Sequence, residues 1–297
     1  MTDEQTSLPA RDASTHDYWE HAAATHGTKD TDRYYRLDDV VAGGTLMTEL
    51  EEQAVAVATG ADAGEPLGRL AGLDVLHLQS HIGVDGVVMA RAGAQVTCAD
   101  YSATALARAR ELAARVGVAI ETVETDARAL PSSLHGRFDL VYATIGAICW
   151  IDDIDLWMRQ VSLALRPGGR LVMVELHPVY QMFDELSPDI VCDFPYGGEQ
   201  PMTYTGSGSY ADPTSTVEST TTCYAHSIGE VVMGALRAGL ATELLEEHTE
   251  IAFNPRGDSV LAVGDDGLHR FLIGRGTRPG EPPQPLPVAF TFVARKA

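Results

Sequence analysis

The residues with the most chemical content sit in four short stretches: Q-S-H-I-G-V-D-G (79–86), Asp100, Asp126 and Ala143-Thr144-Ile145-Gly146. Asp100 stands 17 residues beyond Gly83, where an acidic side chain is placed to accept hydrogen bonds from both ribose hydroxyls of an adenosine. His77 and His81 are four apart, the spacing of zinc-binding helices. They fall across a strand and its turn, however, and lack the glutamate of H-E-x-x-H, so no metal is expected. His16, His21 and His26 read as surface residues, and GRGTRPG (274–280) as a loop, because prolines follow where a dinucleotide-binding helix would have to start. The acidic runs TELEE (48–52) and LLEEH (244–248) read as solvated faces.

Regular elements must position these residues, and the chain supplies them. DVLHLQ (74–79), QVTCAD (95–100), VAIETVETD (118–126), RFDLVYAT (137–144) and RLVMVEL (170–176) are short apolar runs that read as strands. Between them lie VDGVVMARAG (84–93), SATALARARELAARVG (102–117) and DIDLWMRQVSLALRPGG (153–169), helical in period and closed by glycine. Strands alternating with helices of this length predict right-handed βαβ crossovers and a parallel sheet, a doubly wound α/β fold. Ligands of such sheets sit beyond the carboxyl ends of the strands, which is where the four stretches fall.

Before this unit, residues 1–13 read as a flexible tail and 14–60 as a helical cap, with helices from Asp17 to Gly27 and over 46–58. Residues 61–176 form the α/β core. The segment 177–225 is rich in Gly, Pro, Ser and Thr yet carries seven large aromatics, the composition of a lid or binding insertion. The remainder, 226–297, returns to the sheet with a helix at 227–239 and strands at 240–250 and 288–297; the stretch between those strands is mixed and proline-broken.

Composition acts by exclusion. With 42 acidic against 21 basic residues the net charge is −21, which repels polyanions, so nucleic acid and anionic membrane surfaces are not expected partners. No apolar run approaches the ~20 residues of a bilayer span, and the polar N-terminus lacks the apolar core of a signal peptide, so a cytoplasmic location is expected. Cys98, Cys149, Cys192 and Cys223 form no C-x-x-C pair and are expected to be thiols.

LHLQSHIGVD (76–85), VTCADYS (96–102), TDA (125–127), FDLVYATIGAICW (138–150) and LRPGGRLVMVELHP (165–178) occur in this order. Together they resemble the class I S-adenosylmethionine-dependent methyltransferases, and more narrowly a bacterial branch whose first motif reads close to LHLQCHxGxD. The resemblance covers roughly 15 to 250. It implies a Rossmann-like sheet of seven strands, mostly parallel, whose last strand is antiparallel. It also implies S-adenosylmethionine as cofactor and S-adenosylhomocysteine as product. By the same resemblance Asp100 would bind the ribose diol and Tyr101 would pack beside adenine. Asp126 and Ala127 would read the adenine edge, Gly83 would let the loop approach the cofactor, and Ala143 with Thr144 would face its methionine part. Asp85 joins this cofactor set. The broad family has an acid where His77 stands and glycines where Gln79 and His81 stand; polar Gln79 and His81 could hydrogen-bond the cofactor's carboxylate or amine.

The reaction so implied is an in-line displacement at a sulfonium methyl group, transferring it to an O, N or S atom of a small molecule, plausibly of specialised metabolism. His177, at the end of the fifth strand, is the first candidate for the base that removes the acceptor's proton. Tyr18, Trp19, Trp150 and Tyr180 are candidates for substrate walls. A cyclase or decarboxylase on the same fold, binding the cofactor without transferring methyl, needs the same pocket and stays open at this point. A homodimer is compatible with this reading.

Overall fold

The computed structural model describes residues 10–28, 32–62, 64–184, 191–198, 200–212, 214–252, 261–273 and 284–297. The loop 274–280 lies outside these residues.

The chain opens with helices α1 (Ala10–Thr25), α2 (Asp32–Tyr35), α3 (Leu37–Val41) and α4 (Glu49–Thr59). The α/β unit follows as β1 (Asp74–Leu78), α5 (Val84–Arg91), β2 (Gln95–Asp100), α6 (Ala103–Val116), β3 (Glu121–Glu124), β4 (Phe138–Ala143), α7 (Ile154–Ala164) and β5 (Leu165–Leu176). Next come α8 (Pro178–Gln181), β6 (Phe183–Asp184), β7 (Val191–Cys192), β8 (Met202–Ser207) and β9 (Glu218–Cys223). The last part holds α9 (Ile228–Arg237), β10 (Leu240–His248), β11 (Leu261–Val263), β12 (His269–Ile273), β13 (Gln284–Leu286) and β14 (Ala289–Lys296).

Seven strands form one sheet in the order β10-β14-β5-β4-β1-β2-β3. β14 runs antiparallel between β5 and β10, and β1 through β5 pair in parallel. This is the expected seven-stranded topology with its reversed last strand. Strand order reverses between β4 and β1, so a crevice opens above their carboxyl ends. Leu76, Leu78 and Val141 face one apolar layer, while Val75, Tyr142 and Val174 face the other. Both faces are therefore covered, as the near-continuous apolar strands require.

Several boundaries move from their sequence expectation. α1 begins at Ala10 rather than Asp17. α7 ends at Ala164, because Leu165 already pairs with Phe138 and the L-R-P-G-G stretch joins β5. The proline-broken stretch contains a second small sheet, β11-β12-β13, whose Phe271 packs edge-on against Tyr180 and Phe183. The segment 177–225 is also more ordered than a loop: β8 and β9 form an antiparallel hairpin.

Candidate functional site

The turn after β1 is made by residues in left-handed backbone geometry: Gln79 (φ 56°), His81 (φ 47°) and Gly83 (φ 72°). Two of the three carry a side chain, which costs about 1–3 kcal/mol each unless the surroundings impose it. For Gln79 they do. Its amide accepts from Trp157 Nε1 at 2.9 Å and donates to the Ala147 carbonyl at 2.9 Å. Gln79 thus ties the turn to α7 and to Ala147, and with one N–H and one lone pair left it also lines the cavity. Gly83 lines the cavity too, and its size also serves packing: a Cβ there would meet the Ala109 Cβ of α6 at 2.6 Å.

Asp100 ends β2 directly beside this turn. One carboxyl oxygen accepts from the His81 backbone N–H at 2.8 Å and the other from Ser102 N–H at 2.9 Å. Burial pushes its ionisation up to about 6, against the pull of those N–H groups. Ser102 then caps α6 through Ala105 N–H, which fixes the carboxylate at the helix entrance. Next to it, the Tyr101 ring stands edge-on to His16 at 5.0 Å. Ala127 and Asp126 line the same cavity at the end of β3. The Asp126 carboxylate is gripped by Arg128, which also reaches Asp152 at 2.9 Å and Asp12 of α1 at 3.0 Å. Three surrounding carboxylates hold this guanidinium charged.

At the end of β4 the two adjacent candidates separate. Thr144 lines the cavity, whereas Ala143 is fully buried in the opposite apolar layer and does not face it. Strand alternation is the reason: neighbouring side chains point to opposite faces. The following turn is clamped by Glu175, whose buried carboxylate accepts from the N–H groups of Gly146, Ala147, Ile148 and Leu176.

Together these elements enclose a cavity of about 950 Å³, at the upper end for small-molecule sites. Its roof comes from α1, α2 and the β8–β9 hairpin. Tyr18, Trp19 and Trp150 meet there, Trp19 standing perpendicular to Trp150 at 5.3 Å and to His81 at 5.2 Å. α1 is held on the core by Glu20, which accepts from Thr104, and by Arg108, which donates to the carbonyls at its C-terminal end. The Thr222 N–H of β9 donates to Thr15 of α1 at 3.0 Å.

His26, expected at the surface, is fully buried behind the roof. Its Nδ1 lies 3.0 Å from His81 Nε2 and 3.1 Å from Tyr35 Oη, and its Nε2 lies 2.8 Å from Ser209 Oγ. Tyr35 and Tyr210 share a hydroxyl contact of 2.5 Å. Burial holds His26 down to about 4, so it is a neutral acceptor at pH 7.

His177 and Tyr180 lie elsewhere and do not line the cavity. His177 caps α8 by accepting from Val179 N–H at Nδ1, and its Nε2 sits 2.7 Å from Glu247. With both nitrogens committed and the ring buried against Phe290, it is a structural cap, not a base. Tyr180 packs into the core under the small sheet rather than against a substrate.

Glu51 is the residue that sequence reasoning missed. It was read with a solvated acidic face, yet it is only 4% exposed and lines the cavity. It closes a capping box with Thr48 and accepts from Tyr142 and Thr144, each at 3.1 Å. The T-x-x-E pattern at 48–51 was the available signal. Asp85, in the first turn of α5, shares both hydroxyl partners.

Residues 75–169 match the sequence model of a family described as "Methyltransferase domain". An uncharacterized methyltransferase, YbaJ of Bacillus subtilis, is 32% identical over 113 residues, which is 38% of this chain and 44% of that protein. The chain spans less than half the length of the curated relatives it matches. Among solved structures, an S-adenosylmethionine-dependent methyltransferase from Mesorhizobium loti is 21% identical, with TM-score 0.52 over 86% of this chain and all of that one. The [4+2]-cyclase SpnF is 14% identical, with TM-score 0.52 over 97% of each chain. Residues 75–169 thus resemble a methyltransferase domain in sequence, and the fold built around them is the one seen in solved S-adenosylmethionine-dependent methyltransferases.

Proposed function

We propose that this protein transfers a methyl group from S-adenosylmethionine to an O, N or S atom of a small molecule. The observation that carries the reading is Asp100: a buried carboxylate at the end of β2, beside the 79–83 turn, lining a cavity that Tyr18, Trp19 and Trp150 also line. The residues present fit the cofactor. Asp100 has acceptor capacity left for the ribose diol beside its backbone bonds to His81, Ser102 and Tyr101, and Tyr101, Asp126 and Ala127 line the same cavity for adenine. The bound cofactor supplies an activated methyl on a sulfonium.

What the chain contributes is alignment, exclusion of water and a place for the acceptor's proton. Trp19, Trp150 and Tyr18 wall the acceptor end. Tyr35 and Tyr210 line the cavity and are hydrogen-bonded to each other and, through Tyr35, to neutral His26, so their hydroxyls can receive a hydrogen bond from the acceptor's O–H, N–H or S–H. The cavity size and the net charge of −21 favour a small metabolite over a nucleic acid, and a cytoplasmic, specialised-metabolism setting belongs to the same reading.

The test is incubation with methyl-labelled S-adenosylmethionine and a panel of phenols, thiols and amines. Label appearing in one panel member is the expected result. Consumption of a compound without label transfer would give the cyclase-type reading instead, and absence of nucleoside binding would end both.

A further inference from the structure

The roof of the cavity is built of rings and hydroxyls. Trp19 stands nearly perpendicular to Tyr18 and to Trp150, at 5.2 and 5.3 Å, and 6.4 Å from Tyr210, whose ring packs 5.0 Å from Tyr34. Charged side chains line the cavity as well, five acids and two arginines among the described residues, but none offers a free buried charge to this cluster. Asp100 closes β2, Asp126 follows β3, and Glu51 and Asp85 open α4 and α5. Asp12 is held by Arg128, and Arg128 is held by three carboxylates within 3.0 Å. Arg36 is half-exposed and 3.9 Å from Asp39, so water competes for its charge. An anionic acceptor therefore finds no buried cation, and leaving its charge unpaired there is costly. The rings would attract a cation, yet no carboxylate stands among them to complete its pairing. Burial disfavours charge of either sign on the roof itself: it pushes Tyr18 and Tyr34 up to about 12, Tyr35 higher still, and His26 down to about 4.

The polar groups of the roof leave one valence open. Tyr35 Oη and Tyr210 Oη lie 2.5 Å apart, and Tyr35 Oη is 3.1 Å from His26 Nδ1. His26 has a single in-plane site at Nδ1, yet two groups face it there: the Tyr35 hydroxyl and, at 3.0 Å, His81 Nε2. When Nδ1 accepts from Tyr35, Tyr210 donates to Tyr35 and keeps its own lone pairs for another donor. When Nδ1 is engaged with His81, Tyr35 donates to Tyr210, and the Tyr210 proton is free to donate. Tyr35 is the only hydrogen-bond partner of Tyr210 Oη among the described residues, so the open valence falls on Tyr210, which lines the cavity. The group it meets must accept in one arrangement and donate in the other. A hydroxyl does both, whereas a carboxylate only accepts and an ammonium only donates.

We propose that Tyr210, backed by Tyr35 and His26, is the recognition group for the acceptor, and that the acceptor is an uncharged aromatic alcohol seated against Trp19, Trp150 and Tyr18. The inference rests on the function proposed above and narrows its O, N or S atom to oxygen. The perpendicular rings form a corner with flat walls, which a planar aromatic body fills better than a puckered one. Tyr210 meets the hydroxyl; Tyr35 and His26 act through it as positioning residues.

Calorimetric titration of the full chain with S-adenosylhomocysteine reads the proposed function, and a second series run in its presence reads the acceptor site. The series holds a naphthalene body and changes one group: 2-naphthol, 2-methoxynaphthalene, 2-naphthylamine, 2-naphthoate and 2-(aminomethyl)naphthalene. Decahydro-2-naphthol keeps the hydroxyl and loses the flat body. The expected result is 2-naphthol tighter than each of the others by about tenfold, the effect of one well-placed hydrogen bond in a dry site. Tyr210→Phe should abolish the advantage of 2-naphthol over 2-methoxynaphthalene and leave the ether within about twofold. Tyr35→Phe should shrink the same ratio, whereas a merely structural defect would weaken both ligands alike. Equal binding of 2-naphthol and its ether by the wild-type chain overturns the inference, and that measurement needs no variant to fold. Tightest binding of the carboxylate, the ammonium or the arylamine overturns it too, as does a decalin alcohol that matches 2-naphthol, or no binding by any member. Should S-adenosylhomocysteine fail to bind, the proposed function fails, and the same series titrated into the chain alone still decides the hydroxyl site.

Discussion

Replacing Asp100 with asparagine tests the central contact in two separable ways. The carboxylate serves two clients. Its oxygens hold the N–H groups of His81 and Ser102, and its remaining lone pairs are assigned to the ribose diol. An amide keeps one acceptor oxygen and turns an NH2 toward the other N–H. One buried donor loses its partner, which costs about 1–3 kcal/mol of stability. Part of that is returned, because burial already pushes the Asp100 carboxyl up to about 6 and neutralisation relieves it. The ribose loses more: two charge-assisted bonds of about 1.5–3 kcal/mol each become one neutral bond of about 0.5–1.5. A net loss of about 2–4 kcal/mol corresponds to a roughly 30- to 700-fold weaker Kd. Urea denaturation reads the first effect and titration with S-adenosylhomocysteine the second. Wild-type affinity should also weaken as pH falls through about 6 and the carboxyl gains a proton, while the variant shows no such step. A variant that is less stable yet binds with unchanged affinity would refute the ribose assignment and leave Asp100 as a turn anchor.

Gly83→Ala should lose about 2–4 kcal/mol, from a left-handed residue gaining a side chain and from the contact with Ala109; adding Ala109→Gly should restore the contact part in a denaturation cycle. His177→Ala should cost about 1 kcal/mol as a lost cap and leave methyl transfer within about twofold, whereas removal of a true base costs about 10²–10⁴-fold. Arg128→Ala leaves Asp12, Asp126 and Asp152 facing one another half-buried. Limited proteolysis should then cut α1 sooner, with a stability loss of about 1–3 kcal/mol, between surface-pair and buried-pair values.

The sheet was readable because its signals are local. Apolar runs, serine and aspartate caps and glycine stops each act within a few residues, and they place β1 to β5 and their crossovers nearly where they stand. Asp100 followed from spacing to a glycine turn. What stayed hidden depends on partners far along the chain. Glu51 reads as a surface acid until the hydroxyls of Tyr142 and Thr144, over 90 residues on, arrive to donate to it. His26 is buried by Ser209, 183 residues away. Gln79 has the chemistry of a ligand group, and only the position of Trp157 shows that it also braces the turn. His177 fails as a base for the opposite reason: its cap is local, a His-Pro start to a four-residue helix, but sequence position at a strand end outweighed it.

Among the described residues the hairpin of β8 and β9 forms a sheet of its own. Its order is inherited from α1 through the Thr15 tie and, at its tip, from His26 and Tyr35 through Ser209 and Tyr210. Roof and cap therefore make one cooperative unit whose opening free energy lies below that of the sheet. Amide exchange over 202–223 should follow that of 10–25 rather than that of β4 or β5. The whole cavity then shares one opening event, so a bound acceptor that holds the roof down slows the escape of a nucleoside bound with it.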